Sequence, residues 1–177
     1  IADGMNPVKF YDGFRAAPID AGVLPPATAC ALASGASTGA ILGNYAAFQR
    51  FLDRDGNASN LNPISPRIDI EGVGGSIIAA TNTDPIGIGT SAPHGLTSGD
   101  LVRIESVLGN TAANGVWEVT VTSGTTFELD TSSADGEYTG GGTWTPGVGT
   151  VEYSSVEVPT SPYVTTRQIL RNTDGQF

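Results

Sequence analysis

From residue 67 onward, polar and apolar residues alternate in short runs that are separated by glycine-rich turns. The segment Arg67-Ile-Asp-Ile-Glu-Gly-Val73 alternates with the period of two that is typical of a half-buried β-strand. Short strands at such close spacing predict a small antiparallel β-barrel, or a β-sandwich, over residues 67–158. The remaining candidate strands span residues 76–81, 86–90, 100–107, 116–122, 126–130, 143–145 and 150–158.

The alternating strand positions supply a core for this predicted barrel. Trp117 and Val119 are two residues apart, as are Phe127 and Leu129, so each pair is expected on one side of its strand. Closure into a barrel would also remove free sheet edges, which promote aggregation. The residues predicted to form the core and turns are Leu101, Val102, Ile104, Gly115, Trp117, Val119, Phe127, Leu129 and Trp144.

Residues 1–66 predict an extended amino-terminal arm that contains one helix, at about residues 38–54. Four prolines within the first 26 residues lack the N–H donor that a helix needs. Ser37 or Thr38 could cap the helix, and its apolar residues recur at the spacing of one helix face. These residues are Ile41, Tyr45, Phe48 and Phe51 with Leu52. The predicted fold is therefore mainly β, with a barrel, one amino-terminal helix and extended arms at both ends.

The second predicted arm is residues 159–177. Both arms carry large apolar side chains without clear periodicity, and such segments often pack against the rest of the chain or against a neighbouring subunit. The residues expected to contact a partner are Phe10, Tyr11, Phe14, Tyr163, Ile169, Leu170 and Phe177.

Charge and composition argue against several functional classes. There are 18 acidic and 8 basic residues, a net charge of −10, whereas nucleic-acid binding needs clustered cations. No apolar run approaches the ~20 residues of a membrane span. A single cysteine and a single histidine disfavour a disulfide, a zinc cluster and most metal sites. We expect no cofactor. The chain starts at Ile1, as expected of a trimmed chain or a part of a longer one.

Two motifs are weak signals for chemistry. Gly35-Ala-Ser-Thr-Gly39 matches the nucleophile elbow of hydrolases, but it lacks strand–helix alternation and a nearby histidine, so a small-residue turn that caps a helix is expected. Asp53-Arg-Asp-Gly-Asn57 resembles the start of a calcium loop. The later positions hold Ala58 and Ile64 where glycine and glutamate are needed, so an acidic turn is expected.

The remaining candidate groups favour structural roles. His94 lies in a predicted turn, where a hydrogen bond to backbone is expected. Cys30 lies among alanines and is expected to be buried and unreactive. The carboxylate pairs Asp69/Glu71 and Glu128/Asp130 share strand faces that are expected to be solvated. The sequence therefore predicts a protein that is not an enzyme.

The segment of residues 86–144 contains several spaced elements in a characteristic order. His94-Gly-Leu precedes Ser98-Gly-Asp100, then come Asn114-Gly-Val-Trp117, Thr126-Phe-Glu-Leu-Asp130 and Gly140-Gly-Gly-Thr-Trp144. This order resembles a small β-barrel module of tailed-bacteriophage structural proteins, which is often described as similar to the first catalytic-cysteine half-domain of ubiquitin-activating enzymes. The resemblance implies a building block of a virion and brings no activity, because Cys30 lies outside the segment.

The expected function is a non-enzymatic virion protein, a decoration or cement protein on the capsid surface. Its expected partners are the major capsid protein and copies of itself in a homotrimer, with no nucleic acid and no membrane. One alternative is a tail, baseplate or fibre component. Another is a surface carbohydrate-binding or adhesin module, which requires Trp117, Trp144 or Tyr138 to be exposed to a glycan.

Overall fold

A computed structural model describes residues 22–173 and the backbone of two short paired strands before them, β1 (Lys9–Phe10) and β2 (Ile19–Asp20). Strands dominate the described residues, which contain no helix of seven or more residues. Accordingly, no described helix has the length and apolarity needed to cross a membrane. The first half of the chain adds β3 (Ala31–Ser34), β4 (Thr38–Gly39), β5 (Gly43–Asp53) and β6 (Ile68–Ile70). The predicted mainly β class is confirmed.

Six strands close into an antiparallel barrel. Their order around the barrel is β12-β7-β8-β11-β10-β9, and pairing of β9 with β12 completes the ring. The closing ladder runs from Gly140 opposite Leu108 to Pro146 opposite Val102. The strands are β7 (Gly75–Ala80), β8 (Ile86–Thr90), β9 (Leu101–Leu108), β10 (Gly115–Ser123), β11 (Thr126–Leu129) and β12 (Gly140–Val148). The predicted barrel is thereby confirmed, and none of its six strands is left as a free sheet edge.

The period of two places apolar side chains inside this barrel. In β8, Ile86, Ile88 and Thr90 are buried, and the intervening positions are glycines. A three-residue 3₁₀ turn, Thr111–Ala113, joins β9 to β10 and buries Ala113. The core cluster comprises Ile77, Ala80, Ile86, Ile88, Leu96, Val102, Ile104, Val107, Ala113, Val119, Phe127, Leu129 and Trp144.

The predicted helix over residues 38–54 is wrong. These residues form β4, which pairs with β12, and the 11-residue strand β5. Tyr45, Ala47, Gln49 and Phe51 are all buried, which is the period of a strand. The strand forms because β14 (Val164–Thr173) pairs antiparallel along its length. This long-range pairing overrides the helical spacing of the apolar residues.

The other edge of β5 is covered by residues 58–66, which form no strand. Ser59, Asn62 and Ser65 each donate a backbone N–H to a β5 carbonyl, those of Phe51, Gln49 and Ala47. Each of the three side-chain oxygens accepts the N–H of the same β5 residue, at 2.6–3.0 Å. Residues 59, 62 and 65 therefore satisfy the backbone N–H and carbonyl groups of residues 51, 49 and 47, so every third residue of this segment bonds to every second residue of β5. Residues 53–57 were predicted to form a turn, and the polar segment that follows them covers this edge of β5.

The chain divides into two compact units. The barrel unit comprises Ala33–Asn44 and Ile68–Glu152, and the β5–β14 unit comprises Ile1–Leu32, Tyr45–Arg67 and Tyr153–Phe177. Strands β3 and β13 (Val151–Ser154) pair where the chain passes from one unit to the other. The sequence-based division at residues 66 and 158 differs from this one, because segments from both ends and the middle of the chain build the β5–β14 unit.

Candidate functional site

The groups that could support catalysis serve structural roles. No cluster of three or more histidine, cysteine, aspartate or glutamate side chains that could hold a metal occurs among the described residues. The His94 ring accepts the Leu96 N–H at Nδ1 (3.0 Å), and its Nε2 lies 2.9 Å from the Ser123 carbonyl. Because Nδ1 accepts a hydrogen bond, the ring proton lies on Nε2, which donates a hydrogen bond to the Ser123 carbonyl. Both ring nitrogens of His94 are therefore engaged with backbone groups, and the ring packs edge-on against Phe127 and Trp144.

The Gly35–Gly39 motif is a tightly packed turn. A Cβ added to Gly35 would lie 2.0 Å from the Thr150 hydroxyl oxygen, and one added to Gly39 would lie 2.5 Å from Gly149 Cα. The carbonyl of Ser37 accepts the Gly149 N–H. The glycines therefore permit close backbone approach, and the motif consists of a turn at residues 35–37 followed directly by strand β4, with no helix after it.

The Asp53–Asn57 segment is also a self-contained turn. The Asp53 carboxylate accepts the N–H groups of Asp55 and Asn57 at 2.9 and 2.8 Å, and the Asn57 side-chain amide at 2.9 Å. These hydrogen bonds hold the pKa of Asp53 below its ordinary value, and the bond from the Asn57 side chain has the largest effect. Cys30 is buried, and burial raises the pKa of its thiol, which disfavours the reactive thiolate.

The aromatic residues proposed for glycan binding are committed to the barrel. Trp144 is only 5% exposed. Trp117 is half-buried and donates its indole N–H to the Ala113 carbonyl at 2.9 Å. The Tyr138 hydroxyl lies 2.8 Å from the Gly141 carbonyl and 3.1 Å from that of Ile77. Trp144 is therefore part of the barrel core, and Trp117 and Tyr138 are held by hydrogen bonds to backbone carbonyls of the barrel unit.

Most of the closed barrel lies within a segment that matches a known family. Residues 85–146 match the model of the ubiquitin-activating enzyme E1 FCCH domain. The match covers about a third of the chain and five of the six barrel strands, β8 to β12. The predicted similarity to that half-domain is confirmed over this segment. No curated protein matches the chain.

Most of the residues predicted to form the barrel core lie in the observed core cluster or pack against it. Val102, Ile104, Val119, Phe127, Leu129 and Trp144 are buried in the core. Leu101 and Trp117 are half-buried, and Gly115 has a φ of +144° at the start of β10. A Cβ at Gly115 would lie 3.4 Å from the Trp117 indole nitrogen, which is an ordinary contact, so the positive φ and not a lack of space favours glycine here.

The β5–β14 unit contains a groove of about 520 Å³. One wall is residues 22–25, the other is formed by Glu157 and residues 159–164, and Phe51 and Asp53 of β5 also line it. Leu24 is 47% exposed and Tyr163 is 66% exposed at this groove. Its described lining contains two carboxylates, Asp53 and Glu157, and no basic residue.

A ring of hydrogen bonds holds the walls of this groove together. We call Thr28, Gln49, Asn62 and Glu157 the polar ring. The fully buried Gln49 side chain donates to the Glu157 carbonyl at 2.7 Å and accepts the Glu157 N–H at 2.9 Å. Asn62 accepts the Gln49 N–H and donates to the Thr28 carbonyl at 2.7 Å. Glu157 Oε2 closes the ring by accepting the Thr28 N–H and hydroxyl, at 3.1 and 3.0 Å.

The predicted partner-contact residues separate into three groups. Tyr163 is exposed and lines the groove. Ile169 and Leu170 are half-buried on β14. Phe10 belongs to β1, while Tyr11, Phe14 and Phe177 lie outside the described residues. Sequence analysis missed Leu24, Gln49 and Glu157, whose roles depend on segments far apart in the chain.

Charge differs sharply between the two units. The barrel unit carries eleven acidic residues and one base, Arg103, so its net charge is −10. Arg103 pairs with Glu71 at 2.8 Å. The β5–β14 unit carries seven acidic and seven basic residues and has no net charge. The excess negative charge of the chain thus belongs entirely to the barrel unit.

Proposed function

We propose that this protein is a non-enzymatic structural protein of a tailed-phage virion, and that it decorates the outer capsid lattice and stabilises it. The observation that carries the proposal is the closed barrel. Its β8–β12 segment matches the E1 FCCH domain model, and the same segment contains the residue order whose resemblance to phage structural proteins motivates the proposal. In this proposal the partners are the major capsid protein and further copies of the chain, in a homotrimer.

The distribution of charge supports different roles for the barrel unit and the β5–β14 unit. A barrel unit with a net charge of −10 is repelled by packaged nucleic acid and is kept soluble, as suits a module that faces outward. The β5–β14 unit, which has no net charge, bears exposed apolar side chains at its groove, which suits contact with another protein.

The candidate catalytic groups are already hydrogen-bonded to backbone or buried, which supports the proposal that the protein is not an enzyme. A nucleophile needs a base within hydrogen-bond reach, and both nitrogens of His94 already bond to backbone. The only cysteine is buried, and its pKa is raised. The β-barrel therefore supports a scaffold better than a reaction site.

Quantitative mass spectrometry of gradient-purified particles tests this function, with peptides of the major capsid protein in the same digest as the internal standard. On the order of hundreds of copies per particle would support a place on the symmetric capsid lattice. A few copies to a few dozen would overturn the capsid assignment and favour the neck, tail or fibres. Absence from washed particles would overturn the virion function altogether.

A further inference from the structure

The groove of the β5–β14 unit has the form of a preformed binding site. Its walls come from residues 22–25 and from Glu157, residues 159–161, Tyr163 and Val164, and β5 supplies Phe51 and Asp53. The polar ring connects these three segments through backbone and side-chain hydrogen bonds. The Gln49 N–H bond of this ring is buried, the other bonds of Gln49 and Asn62 are partly buried, and the Thr28–Glu157 bonds are exposed. Together they restrain the segments, so a guest would bind with a smaller entropic cost of ordering.

The lining of the groove combines apolar and anionic groups. Leu24 and Tyr163 are exposed, and Val23, Pro25 and Val164 extend the apolar lining. The carboxylates are Asp53 and Glu157, and hydrogen bonds lower the pKa of each, so both are ionised at neutral pH. An apolar guest alone would leave two charges without a counterpart, whereas a guest that also carries cations would neutralise them.

We propose that this groove docks an extended polypeptide segment of the capsid subunit, in which a large apolar side chain is flanked by lysine or arginine. The apolar side chain packs against Leu24 and Tyr163, and the flanking cations face Asp53 and Glu157. The three described hydrogen bonds to Glu157 converge on Oε2, so Oε1 is the atom through which a cation is recognised. The inference rests on the proposed function for the identity of the partner protein.

The main experiment measures binding of the full chain to particles stripped of it. We expect the double variant Leu24→Ala/Tyr163→Ala to bind about tenfold more weakly, because truncation of an interface anchor has an effect of this size. Both side chains are substantially exposed, so the fold should tolerate their loss. The matched control is Val158→Ala, since Val158 is similarly exposed and does not line the groove.

Charge is tested with Asp53→Asn and Glu157→Gln, which keep an oxygen acceptor for the wall hydrogen bonds. Each should weaken binding and reduce its dependence on salt, because a screened charge pair has been lost. Asp55→Asn is the matched control, since Asp55 is exposed in the same turn and lies outside the groove lining. Unchanged binding by all groove variants would overturn the docking site while leaving the capsid function intact.

Synthetic peptides separate this inference from the proposed function. The probes are two glycine-flanked peptides, one with an Arg-Leu-Arg centre and one with a Glu-Leu-Glu centre, titrated while backbone NMR signals are followed. Shifts at the groove with the basic peptide alone would support the site even if particles did not bind. Equal response to both peptides would overturn it. Displacement of the basic peptide by one spanning residues 7–16 of this chain would also overturn it, by assigning the groove to the chain itself.

Discussion

The barrel unit and the β5–β14 unit are both made of antiparallel strands, but different interactions satisfy their edges. In the barrel, β9 pairs with β12 and strands satisfy one another's backbones around the ring. In the β5–β14 unit, the outer edge of β5 is satisfied by Ser59, Asn62 and Ser65. A closed ladder depends on backbone geometry, whereas the covered edge depends on the identity of a few polar side chains.

The interiors differ in the same way. The barrel core is apolar, with the Phe127 and Trp144 rings packed against each other and against His94. The β5–β14 unit buries a glutamine amide on the same strand face as Phe51, and this amide holds a neighbouring segment by two hydrogen bonds. The comparison teaches that the barrel should tolerate polar substitutions on its surface, while the β5–β14 unit should respond to single polar deletions in its interior.

The largest expected effect is in the barrel core. Phe127→Ala should lower the free energy of unfolding of the barrel by about 3–5 kcal/mol, because it removes a fully buried ring and leaves a cavity. Both tryptophans, Trp117 and Trp144, lie in the barrel unit, so their emission during urea unfolding measures this change. Ile78→Ala is the control on β7. Ile78 is mostly exposed, and a loss similar to that of Phe127→Ala would contradict the assigned core.

A smaller effect, confined to the other unit, is expected from Gln49→Leu. The substitution introduces an apolar side chain of similar size and leaves the Glu157 N–H and carbonyl without their partner, which should cost about 1–3 kcal/mol. Hydrogen exchange of β5 amides should accelerate while the tryptophan emission of the barrel stays unchanged. Gln168→Leu is the control, because Gln168 on β14 accepts a side-chain hydrogen bond from Arg50 on β5 without bridging to residue 157. Equal effects of the two variants would show that the polar ring has no special role.

The smallest effect concerns acid. Hydrogen bonds from the Thr28 and Ala27 N–H groups hold the pKa of Glu157 below its ordinary value of 4.5. Because the folded pKa is lowered, the stabilisation is present above pH 4.5 and is lost as the pH falls through the folded pKa. Hydrogen exchange of the β5–β14 unit in wild type should therefore become faster below pH 4.5 than the intrinsic rate predicts. Glu157→Gln should lack part of this dependence, and an identical pH profile would contradict the role of the carboxylate.

The error over residues 38–54 shows where sequence patterns are ambiguous. Tyr45, Phe48 and Phe51 fit a helix face, but Tyr45, Ala47, Gln49 and Phe51 form the buried face of a strand. Alanine and glutamine give no hydrophobic signal for the period of two, so the helical spacing looked stronger. What decides the matter is the ladder with residues 164–173, more than 100 residues away in the chain.

The groove could not be found from the sequence for the same reason. Glu157 lies 129 residues from Thr28, and Gln49 lies 108 residues from Glu157. No local pattern connects such positions. Tyr163 was predicted to contact a partner. Leu24, Asp53 and Glu157 join it in one groove only in the folded chain, where three distant segments come together.

The sequence by itself determined the barrel, its class and most of its core. Local alternation marks the buried face of strands such as β8 and β11, and glycine-rich turns mark the connections, so neighbouring residues carry the information. The tertiary structure alone decided that β5 is a strand, that polar side chains cover its edge and that a groove lies beside it. These features depend on hydrogen bonds between distant segments, whose free energy is gained only when the chain has folded.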